Sequence, residues 1–496
     1  MVQTVFERMW DQNPRVPVKP ASVAVVIPCK NEAANLRELL PQLKGVVAAL
    51  EHTTTLHIVD GHSTDETCDV AREHGVGVLT QRGRGYGGAV RTALTDLEAD
   101  WIVTLDADCS HPPATLKSLL SSLDDAEIVI ASRYVPHGYT RMPWARHLFS
   151  RLLNRVFRSV LSVPVRDMSS GYRAYRRAAI AAIPVEQETF AFLPEILLKA
   201  YTRGYRVKEV PFHYRPRANG KSNARVIPFG IQYTKLLLSF WLYRNSVAAA
   251  DYDSRAFTSV IPLQRWWQRQ RYRIISEMVG NSLAVLDVGC GSGQLLVGCP
   301  QIVGMDAQLN KLRFMRAPGR LLLRGSIFAI PLASESFETV VCSQVIEHVP
   351  MEAALDSLVR CLAPGGTLVL GTVDYGSWQW PLIERIYGFV HRGGYADEHI
   401  THYTSDTLVE ALKRHQLDVL EIRYIAKAEI IIKARKRGAG APIAMFTQSS
   451  LDRALVCPRD LTAVTRHADG YHCAICGSHY PIVDSIPDFF PRSEAE

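Results

Sequence analysis

Short apolar runs that end in polar or glycine-rich turns recur through the first half of the chain, and a helical pattern follows each turn. Four of these runs have the composition of buried strands, at residues 22–28, 56–60, 76–80 and 101–105. Strands that alternate with helices favour a mostly parallel sheet, whose ligands bind at the carboxyl ends of the strands. The pattern therefore predicts an α/β domain with its site where these runs end.

The fourth run ends in two carboxylates, Asp106 and Asp108, and two prolines then prevent further regular strand. Acids at positions i and i+2 point to the same side and repel each other unless a cation lies between them. Magnesium is usually held by one or two carboxylates together with phosphate oxygens. An Asp-x-Asp pair alone also fits plain solvated acids, so the metal interpretation depends on the neighbouring strand ends. These ends carry Pro28, Glu32, Asp60, Asp65 and a glycine-rich turn at 82–89. Together they predict an acid-lined nucleotide pocket that binds Mg²⁺ or Mn²⁺.

The length of the chain, 496 residues, predicts two large domains. Its net charge of +7 is mild over that length and does not argue for nucleic acid as a partner. Ten cysteines are scattered along the chain, and residues 1–20 are polar and proline-rich, unlike a secretory signal. We therefore expect reduced thiols and a cytoplasmic protein.

Five motifs follow one another in the first half: IPCKNE at 27–32, VDGHSTD at 59–65, DAD at 106–108, ASRY at 131–134 and DMSSGYR at 167–173. In this order they resemble the family-2 glycosyltransferases, and most closely the dolichol-phosphate mannose synthases and their bacterial polyprenyl-phosphate relatives. The resemblance implies a GT-A fold, a nucleotide-sugar donor of the GDP-mannose or UDP-glucose type, and inversion at the sugar carbon. It also implies a set of donor-binding residues, in which Asp106 and Asp108 carry the metal and the diphosphate: Pro28, Glu32, Asp60, Asp106, Ala107, Asp108, Arg133, Arg217 and Lys221.

Two positions depart from the family pattern. The second acid that the family has after its second strand is Gly61 here, and the usual Gly-x-Ser-Lys is replaced by Gly-Lys-Ser-Asn at 220–223. The lysine of that motif has therefore moved to Lys221.

The acceptor can be argued from chemistry. A hydroxyl needs a general base, whereas a polyprenyl phosphate is already dianionic at neutral pH because its second pKa is about 6. Such a phosphate needs cations, and a basic set that includes Arg173, Arg217 and Lys221 supplies them, although the same residues also fit a solvated basic face. Asp167 or Glu195 is the candidate base for a hydroxyl acceptor. The predicted catalytic residues are Asp106, Asp108, Asp167 and Arg173.

Residues 226–243 form the most membrane-like stretch, which Lys235 interrupts. A membrane span here would place the second half of the chain on the side opposite the sugar-nucleotide site. We therefore expect a peripheral protein with an interfacial helix on the cytoplasmic face of the membrane, the alternative being a helix packed on its own domain.

A second strand-and-turn pattern begins at residue 283 with LAVLDVGCGSG, and a further strand ends at Asp306. An acid at such a strand end suits the ribose of an adenosine-containing ligand, and the glycine spacing differs from the dinucleotide fingerprint. With SFETVVCSQVIEHV at 336–349 and LAPGGTLVL at 362–370, the pattern resembles class I S-adenosylmethionine (SAM)-dependent methyltransferases. The resemblance assigns Asp287, Gly289, Gly291 and Gly293 to the methionine side of SAM and Asp306 to its ribose, and the candidates on the methyl-acceptor side are Glu347, His348, His399 and His402.

The tail resembles a small zinc-ribbon module often found beside methyltransferases. The full pattern has two Cys-x-x-Cys pairs, whereas here the first pair is Cys457 with Asp460 and the second is Cys473 with Cys476. Three outcomes stay open: zinc on these four residues, recruitment of His467, His472 or His479, or a ribbon without metal.

The sequence thus predicts two Rossmann-like domains and a ribbon. We expect a glycosyltransferase domain over 20–245, a linker and edge helix over 246–280, a methyltransferase domain over 281–437 and the ribbon over 453–491. The predicted function is sugar transfer from a nucleotide donor to polyprenyl phosphate, coupled to SAM-dependent methylation of a glycan or related small molecule. The alternatives are a glycosyltransferase with a soluble hydroxyl acceptor and a ligand-binding scaffold without turnover.

Overall fold

A computed structural model describes residues 21–216, 226–299, 301–390 and 400–491. The chain forms two compact units that divide between Asn245 and Ser246, and each contains a seven-stranded sheet. Within the described residues, no helix combines the length and the apolar character needed to cross a membrane.

The sheet of the first unit is mixed. Its strands are β1 (Val23–Cys29), β2 (Thr54–Asp60), β3 (Gly77–Thr80), β4 (Trp101–Thr104), β5 (Ile128–Ser132), β7 (Arg173–Arg176) and β8 (Val207–Pro211), and a separate pair consists of β6 (Tyr139–Thr140) and β9 (His213–Tyr214). The strand order is β3-β2-β1-β4-β7-β5-β8, with β7 antiparallel to both neighbours and the other pairs parallel. The four strands expected from apolar runs are the adjacent strands β1 to β4, so their carboxyl ends meet at one edge.

Both faces of this sheet are buried. Along β1, Ala24 and Val26 join one apolar cluster, while Val23, Val25 and Ile27 join the other. Successive side chains of a strand point to opposite faces, so this division places an apolar core on each side. The helices of the unit are α1 (Ala33–Val47), α2 (Thr67–Glu73), α3 (Gly85–Asp96), α4 (Thr115–Leu120), α5 (Trp144–Leu161), α6 (Arg177–Ile180), α7 (Phe192–Thr202) and α8 (Val226–Arg244).

Helix α8 contains the membrane-like stretch. Tyr233, Leu236 and Phe240 are buried in the core of the first unit. Leu238 and Leu242 are 61% and 63% exposed. The helix therefore packs on its own unit with one face and leaves an apolar face uncovered.

The second unit has a sheet with a similar beginning. Its strands are β10 (Val285–Val288), β11 (Val303–Asp306), β12 (Leu321–Arg324), β13 (Phe337–Ser343), β14 (Leu362–Val373), β15 (Leu417–Ile425) and β16 (Glu429–Lys436). They lie in the order β12-β11-β10-β13-β14-β16-β15, parallel up to β14, and β16 is antiparallel to both neighbours. The first three strands again bring their carboxyl ends, and the residues that follow them, to one edge.

The helices of this unit include two that precede the sheet. They are α9 (Tyr252–Phe257), α10 (Pro262–Val279), α11 (Leu295–Gly298), α12 (Leu309–Met315), α13 (Met351–Cys361), α14 (Gln379–Val390), α15 (Ser405–Arg414) and α16 (Gln448–Ala454), with a short 3₁₀ turn over Ile346–His348. Helix α10 covers part of the sheet: Arg271 forms a two-pronged salt bridge with Glu429, to which Trp267 also donates a hydrogen bond. The segment expected to link the two halves thus contributes helices to the second unit.

The tail forms a four-stranded antiparallel sheet of β17 (Thr465–Arg466), β18 (Gly470–His472), β19 (His479–Val483) and β20 (Ile486–Pro487). Its aromatic residues Tyr471, Tyr480 and Phe489 belong to the same buried cluster as Leu286 and Val340 of the large sheet. The ribbon is therefore part of the core of the second unit.

Candidate active sites

A cavity of about 730 Å³ opens where β1 to β4 end. One part of its wall is polar and comes from the ends of these strands. Another part is apolar and aromatic. The polar lining includes Lys30, Glu32, Arg84, Asp106, Asp108, His111 and Arg133, and the apolar lining includes Pro28, Tyr86, Phe149, Leu153, Phe190 and Tyr233.

The acid pair lies in the turn after β4. Asp108 is 3% exposed, and its Oδ1 accepts a hydrogen bond from the backbone of Ser110 at 3.0 Å. The Asp106 side chain is 29% exposed. Both residues line the cavity, as Ala107 between them does. The pair therefore offers carboxylate oxygens to a ligand from one short turn.

His111 holds this turn in place. Its Nδ1 accepts a hydrogen bond from the backbone N–H of Asp106 at 3.0 Å, and its Nε2 lies 3.8 Å from Asp106 Oδ2. The ring stacks on Tyr172, and burial lowers the pKa of His111. Since Nδ1 accepts, the neutral ring carries its proton on Nε2, on the side of the Asp106 carboxylate. His111 was not among the residues expected at the site, although it lies three residues after Asp108.

The nucleotide end is formed by β1 and β2. Pro28 and Glu32 line the cavity. Asp60 is paired in register with Cys29, which lines the cavity, but Asp60 itself does not. Its carboxylate accepts a hydrogen bond from the backbone N–H of Ser63. Asp65 caps the start of α1 by accepting from the backbone N–H of Ala33.

Arg133 and Asp167 form a two-pronged ion pair. Arg133 Nε and Nη2 lie 2.7 and 2.6 Å from the two Asp167 oxygens. Burial raises the pKa of Asp167, but Arg133 outweighs this effect, and the pKa is lowered. Arg133 lines the cavity, whereas Asp167 is completely buried behind it and does not. Asp167 therefore holds Arg133 from behind the cavity wall, and its predicted catalytic role stays a prediction.

Arg173 and Glu195 are also placed away from the cavity. Arg173 is completely buried and donates to the carbonyls of Met168, Ser170 and Leu193. Its donors join two chain segments, and it is not among the described residues that line the cavity, so its predicted phosphate-facing role stays a prediction. Glu195 is 2% exposed, and its carboxylate accepts from the backbone of Glu186 and lies 2.7 Å from Lys199. Arg217 and Lys221 lie outside the described residues.

Aromatic rings form the other part of the cavity. Tyr86 stacks on Phe190 with ring centroids 5.0 Å apart, and its hydroxyl donates to the carbonyl of Gly171. Helix α5 contributes Phe149 and Leu153, and α8 contributes Tyr233. The apolar lining thus comes partly from the two helices that also present exposed apolar side chains.

In the second unit, the predicted SAM residues meet at one turn. Gly289 and Gly291 adopt left-handed backbone conformations, and the Gly291 N–H donates to Asp306 Oδ2 at 2.8 Å. Asp287 precedes this turn at the end of β10, and Gly293 follows it. Burial, Asp306 and Asp253 raise the pKa of Asp287 to about 7. The strand ends therefore bring together the acids and glycines assigned to SAM.

Asp253 of α9 was missed by the sequence reasoning. Its Oδ2 accepts from the backbone N–H of Ser292 at 3.0 Å and lies 3.4 Å from Lys311 Nζ. A Cβ atom on Gly291 would be 2.5 Å from the same oxygen. Helix α9 thus lies against the glycine turn, and the polar segment that contains it gave no sequence signal for this contact.

The candidates for the methyl-acceptor side lie in the segments that follow β13 and β14, and each described one has its own contacts. Glu347 is 1% exposed and accepts from Thr372 Oγ1. His402 stacks on Tyr375 with ring centroids 4.1 Å apart. His348 lies in the 3₁₀ turn, and His399 lies outside the described residues.

The tail brings its four predicted ligands together. One ligand atom from each of Cys457, Asp460, Cys473 and Cys476 lies within 4.8 Å of the others. His472 and His479 do not join this group but form a second one with Asp469.

Residues 24–183 match the family model described as glycosyl transferase family 2, and residues 262–422 match the model described as methyltransferase domain. Polyprenol monophosphomannose synthase from Mycolicibacterium smegmatis is 34% identical over 213 residues, which cover 40% of this chain and 79% of that protein. Dolichol-phosphate mannosyltransferase from Pyrococcus furiosus is 31% identical over 212 residues, 41% of this chain and 59% of that protein. Among solved structures, glucosyl-3-phosphoglycerate synthase from Mycobacterium tuberculosis aligns at 20% identity, with a TM-score of 0.36 over 45% of this chain and 80% of that protein.

The two family models and the relatives confirm the resemblances on which the predicted fold class and the transferase assignment were based. The zinc-ribbon resemblance of the tail stays a prediction. The chain belongs to the family 2 glycosyltransferases and carries a methyltransferase domain in its second half.

Proposed function

We propose that the first unit transfers a sugar from a nucleotide-sugar donor to polyprenyl phosphate with inversion. The observation that supports this proposal is the lining of one cavity. The acid pair lies in its polar wall, and aromatic rings form its apolar wall. In the proposed step, an acceptor phosphate oxygen forms a bond to the sugar carbon. The bond from that carbon to the nucleoside diphosphate breaks, and the diphosphate leaves with the electron pair.

Asp106 and Asp108 would hold the divalent ion. The chemistry of this donor set fits Mg²⁺ or Mn²⁺, since both side chains are carboxylates and both reach the cavity. When bound, such an ion neutralises charge that develops on the leaving diphosphate. Pro28, Glu32 and Asp60 would bind the nucleotide, with Asp60 supporting the strand end from behind the lining residues.

A phosphate acceptor is favoured by the positions of the acids. Among the described residues that line the cavity, the carboxylates are Glu32, Asp106 and Asp108. The two candidate bases for a hydroxyl acceptor, Asp167 and Glu195, are both buried in hydrogen bonds elsewhere. A dianionic phosphate needs no base, and Arg133, oriented by Asp167, supplies a cation at the cavity wall. Arg217 and Lys221 keep their predicted phosphate-binding roles.

The acceptor chain would reach the cavity from the membrane surface. Four side chains on α5 at successive four-residue steps, Trp144, Leu148, Leu152 and Val156, are 79, 60, 58 and 37% exposed. Such spacing makes one continuous helix face. Arg151 and Arg155 are exposed on the same helix and suit anionic headgroups. We infer peripheral binding of α5 and α8 to the cytoplasmic face of the membrane, with Phe149 and Leu153 continuing from this face into the cavity.

The second unit would bind SAM and transfer its methyl group to a glycan or related small molecule. The glycine turn and the acids Asp287 and Asp306 fit this ligand, which carries both a cationic sulfonium and an ammonium group. Asp306 would accept hydrogen bonds from the ribose. The identity of the acceptor as a glycan rests on the presence of both domains in one chain.

The tail would bind zinc through Cys457, Asp460, Cys473 and Cys476. Three thiolates and one carboxylate are ligands that Zn²⁺ accepts in four-coordinate sites. Cys457 and Cys473 are buried, as expected for a structural ion inside the ribbon.

One assay tests the main proposal. Purified full-length protein would be given a panel of radiolabelled nucleotide sugars, including GDP-mannose and UDP-glucose, with Mg²⁺ or Mn²⁺ and either undecaprenyl phosphate or soluble acceptors. We expect label to move into the organic phase with at least one donor and to stay aqueous without polyprenyl phosphate. Label in a new water-soluble product, with none in the lipid, would contradict the proposal. Transfer of label that is unchanged by chelation of the metal would contradict the role of the acid pair.

A further inference from the structure

The outer face of the ribbon carries a cluster of ligand-type side chains that neither domain uses. His472 and His479 are directly opposite each other on β18 and β19. His472 Nε2 lies 3.3 Å from one oxygen of Asp469, and His479 Nε2 lies 3.4 Å from the other. All three residues have a ligand atom within 4.8 Å of the others. The two imidazoles thus converge on one carboxylate.

These distances suit ligands of a common ion. Metal–nitrogen and metal–oxygen bonds of about 2.1 Å place the ligands of a tetrahedral site about 3.4 Å apart. A charge-assisted hydrogen bond between imidazole and carboxylate would be shorter, at about 2.7–2.9 Å. The observed separations of 3.3 and 3.4 Å are close to this ligand-to-ligand distance, and the 3.3 Å contact is also within hydrogen-bond range.

The backbone of the hairpin makes this arrangement possible. A Cβ atom at Gly470 would lie 2.3 Å from the carbonyl oxygen of Tyr480 and 2.8 Å from Nε2 of His479. The glycine thus allows β19 and the His479 ring to lie close against β18.

The cluster is separate from the cysteine site. His472 and Cys473 are consecutive, and consecutive side chains of an extended segment point to opposite faces. Their exposures agree with this, since the Cys473 residue is 3% exposed while the His472 side chain is 39% exposed. Cys473 therefore faces inward to Cys457 and Asp460, and His472 faces outward to Asp469 and His479.

We propose that Asp469, His472 and His479 bind a divalent transition-metal ion on the outer face of the ribbon. Two imidazoles and one carboxylate suit Zn²⁺ and its first-row neighbours, whereas Mg²⁺ prefers oxygen ligands alone. The Asp469, His472 and His479 side chains are 65, 39 and 41% exposed, so a fourth coordination position is open to solvent or to an anionic ligand.

Cobalt titration of the full-length protein separates this site from the cysteine site. The metal-free protein would be titrated with Co²⁺ in the presence of excess Mg²⁺, which occupies oxygen-only sites. Charge transfer from thiolate to cobalt reports the cysteine site alone. We expect the variant with Cys473→Ser and Cys476→Ser to lose this band and still bind one equivalent of Co²⁺. We expect the variant with His472→Gln and His479→Gln to lose that equivalent and to retain any thiolate band of the wild type.

His467 provides the matched control. Its ring centroid lies 4.6 Å from that of His472, but it is not part of the ligand group. His467→Gln should bind as much Co²⁺ as the wild type. The proposal is overturned if the two-histidine variant, with unchanged circular dichroism, binds as many equivalents with equal affinity. It is also overturned if the folded cysteine variant binds no Co²⁺, or if His467→Gln alone removes the equivalent.

Discussion

Asp106 and Asp108 lie in a turn whose shape is fixed by a neutral histidine. His111 accepts the Asp106 N–H, so the carboxylates are aimed at the cavity before any ligand binds. At the scale of single residues, Arg133 is held in the same way, because the buried Asp167 forms an ion pair with it. In the first unit, side chains that line the cavity are thus held by side chains behind them.

The acid pair gives the first prediction. Asp108→Asn should lower sugar transfer at least about 100-fold, because the loss of several kcal/mol of charge stabilisation costs a factor of ten per 1.4 kcal/mol. The rate of label transfer at saturating Mn²⁺ measures the effect. Asp124→Asn, at an exposed position, is the control and should keep the wild-type rate. Equal rates for both variants would contradict the assignment.

Asp287 gives a prediction about pH. Its pKa is raised to about 7 by burial, Asp306 and Asp253, whereas the unfolded chain has the ordinary value near 4. The folded state therefore binds more protons in this interval, and its stability falls as pH rises from about 4 through 7. Asp287→Asn should melt at a higher temperature than the wild type at pH 8 and at a similar temperature at pH 4. Glu410→Gln, an exposed carboxyl change, should show no such pH dependence, and a parallel pair of melting curves for Asp287→Asn and wild type would refute the argument.

At the scale of elements, helices contribute to the sites more than their sequences suggested. Helix α5 has one exposed apolar face and also lines the cavity of the first unit. Helix α9, in a segment expected to be a linker, lies against the glycine turn of the second. Each of these two elements therefore supports a prediction.

The exposed face of α5 should bind membranes. Replacing Leu148 and Leu152 with serine should weaken binding to vesicles that contain anionic lipid. Each leucine, exposed in solution, would contribute about 1.5–3 kcal/mol to binding when the membrane buries it fully. Co-sedimentation measures the binding. Leu263→Ser is a matched control because Leu263 of α10 is 66% exposed. The prediction fails if the control weakens binding as much as the α5 variant does.

The contact of α9 with the glycine turn can be tested by adding one methyl group. Gly291→Ala places a Cβ atom 2.5 Å from Asp253 Oδ2, and Gly291 also has a left-handed φ of 53°. Gly319 has a φ of 74° with no atom within 4 Å, so Gly319→Ala measures the backbone cost alone, about 1–2 kcal/mol. We expect Gly291→Ala to lower the free energy of unfolding by more than Gly319→Ala does.

Asp253→Ala should recover part of that difference in the Gly291→Ala background, because it removes the clashing oxygen. Urea unfolding of the four proteins measures these free energies. If Gly291→Ala and Gly319→Ala are equally destabilising, α9 is not in contact with the turn.

At the scale of the whole molecule, two transferase domains share one chain, and their proposed binding sites lie in different compact units. Much of this organisation could be predicted from the sequence, because apolar runs followed by acids or glycines are local signals. Asp106, Asp108, Asp287 and Asp306 all follow or end such runs.

The rest depends on contacts between distant segments. Arg173 belongs to a basic set in the sequence, but its guanidinium joins the carbonyls of Met168 and Leu193 in the interior. Asp253 lies 39 residues from its partner Ser292. Nothing in the neighbouring sequence distinguishes either residue from a solvated one.

Because the two proposed sites lie in different units, we expect a substitution in one site to leave the function of the other unchanged. Asp306→Ala should weaken SAM binding by about 10–100-fold, the factor that corresponds to the free energy of a hydrogen bond to a charged group. The same variant should leave label transfer to lipid unchanged. Asp108→Asn should do the reverse. Calorimetry with SAM and the transfer assay, run on both variants, measure the two functions. Loss of both functions in either variant would show that the sites are coupled.

The aromatic residues of the ribbon lie in the same buried cluster as the strands of the methyltransferase sheet. Cutting the chain at the glycine-rich segment near residue 440 would remove these aromatic residues from the cluster that contains Leu286 and Val340. A transplant of the methyltransferase domain into another protein would therefore have to include the ribbon that follows it, whether or not the ribbon binds a metal.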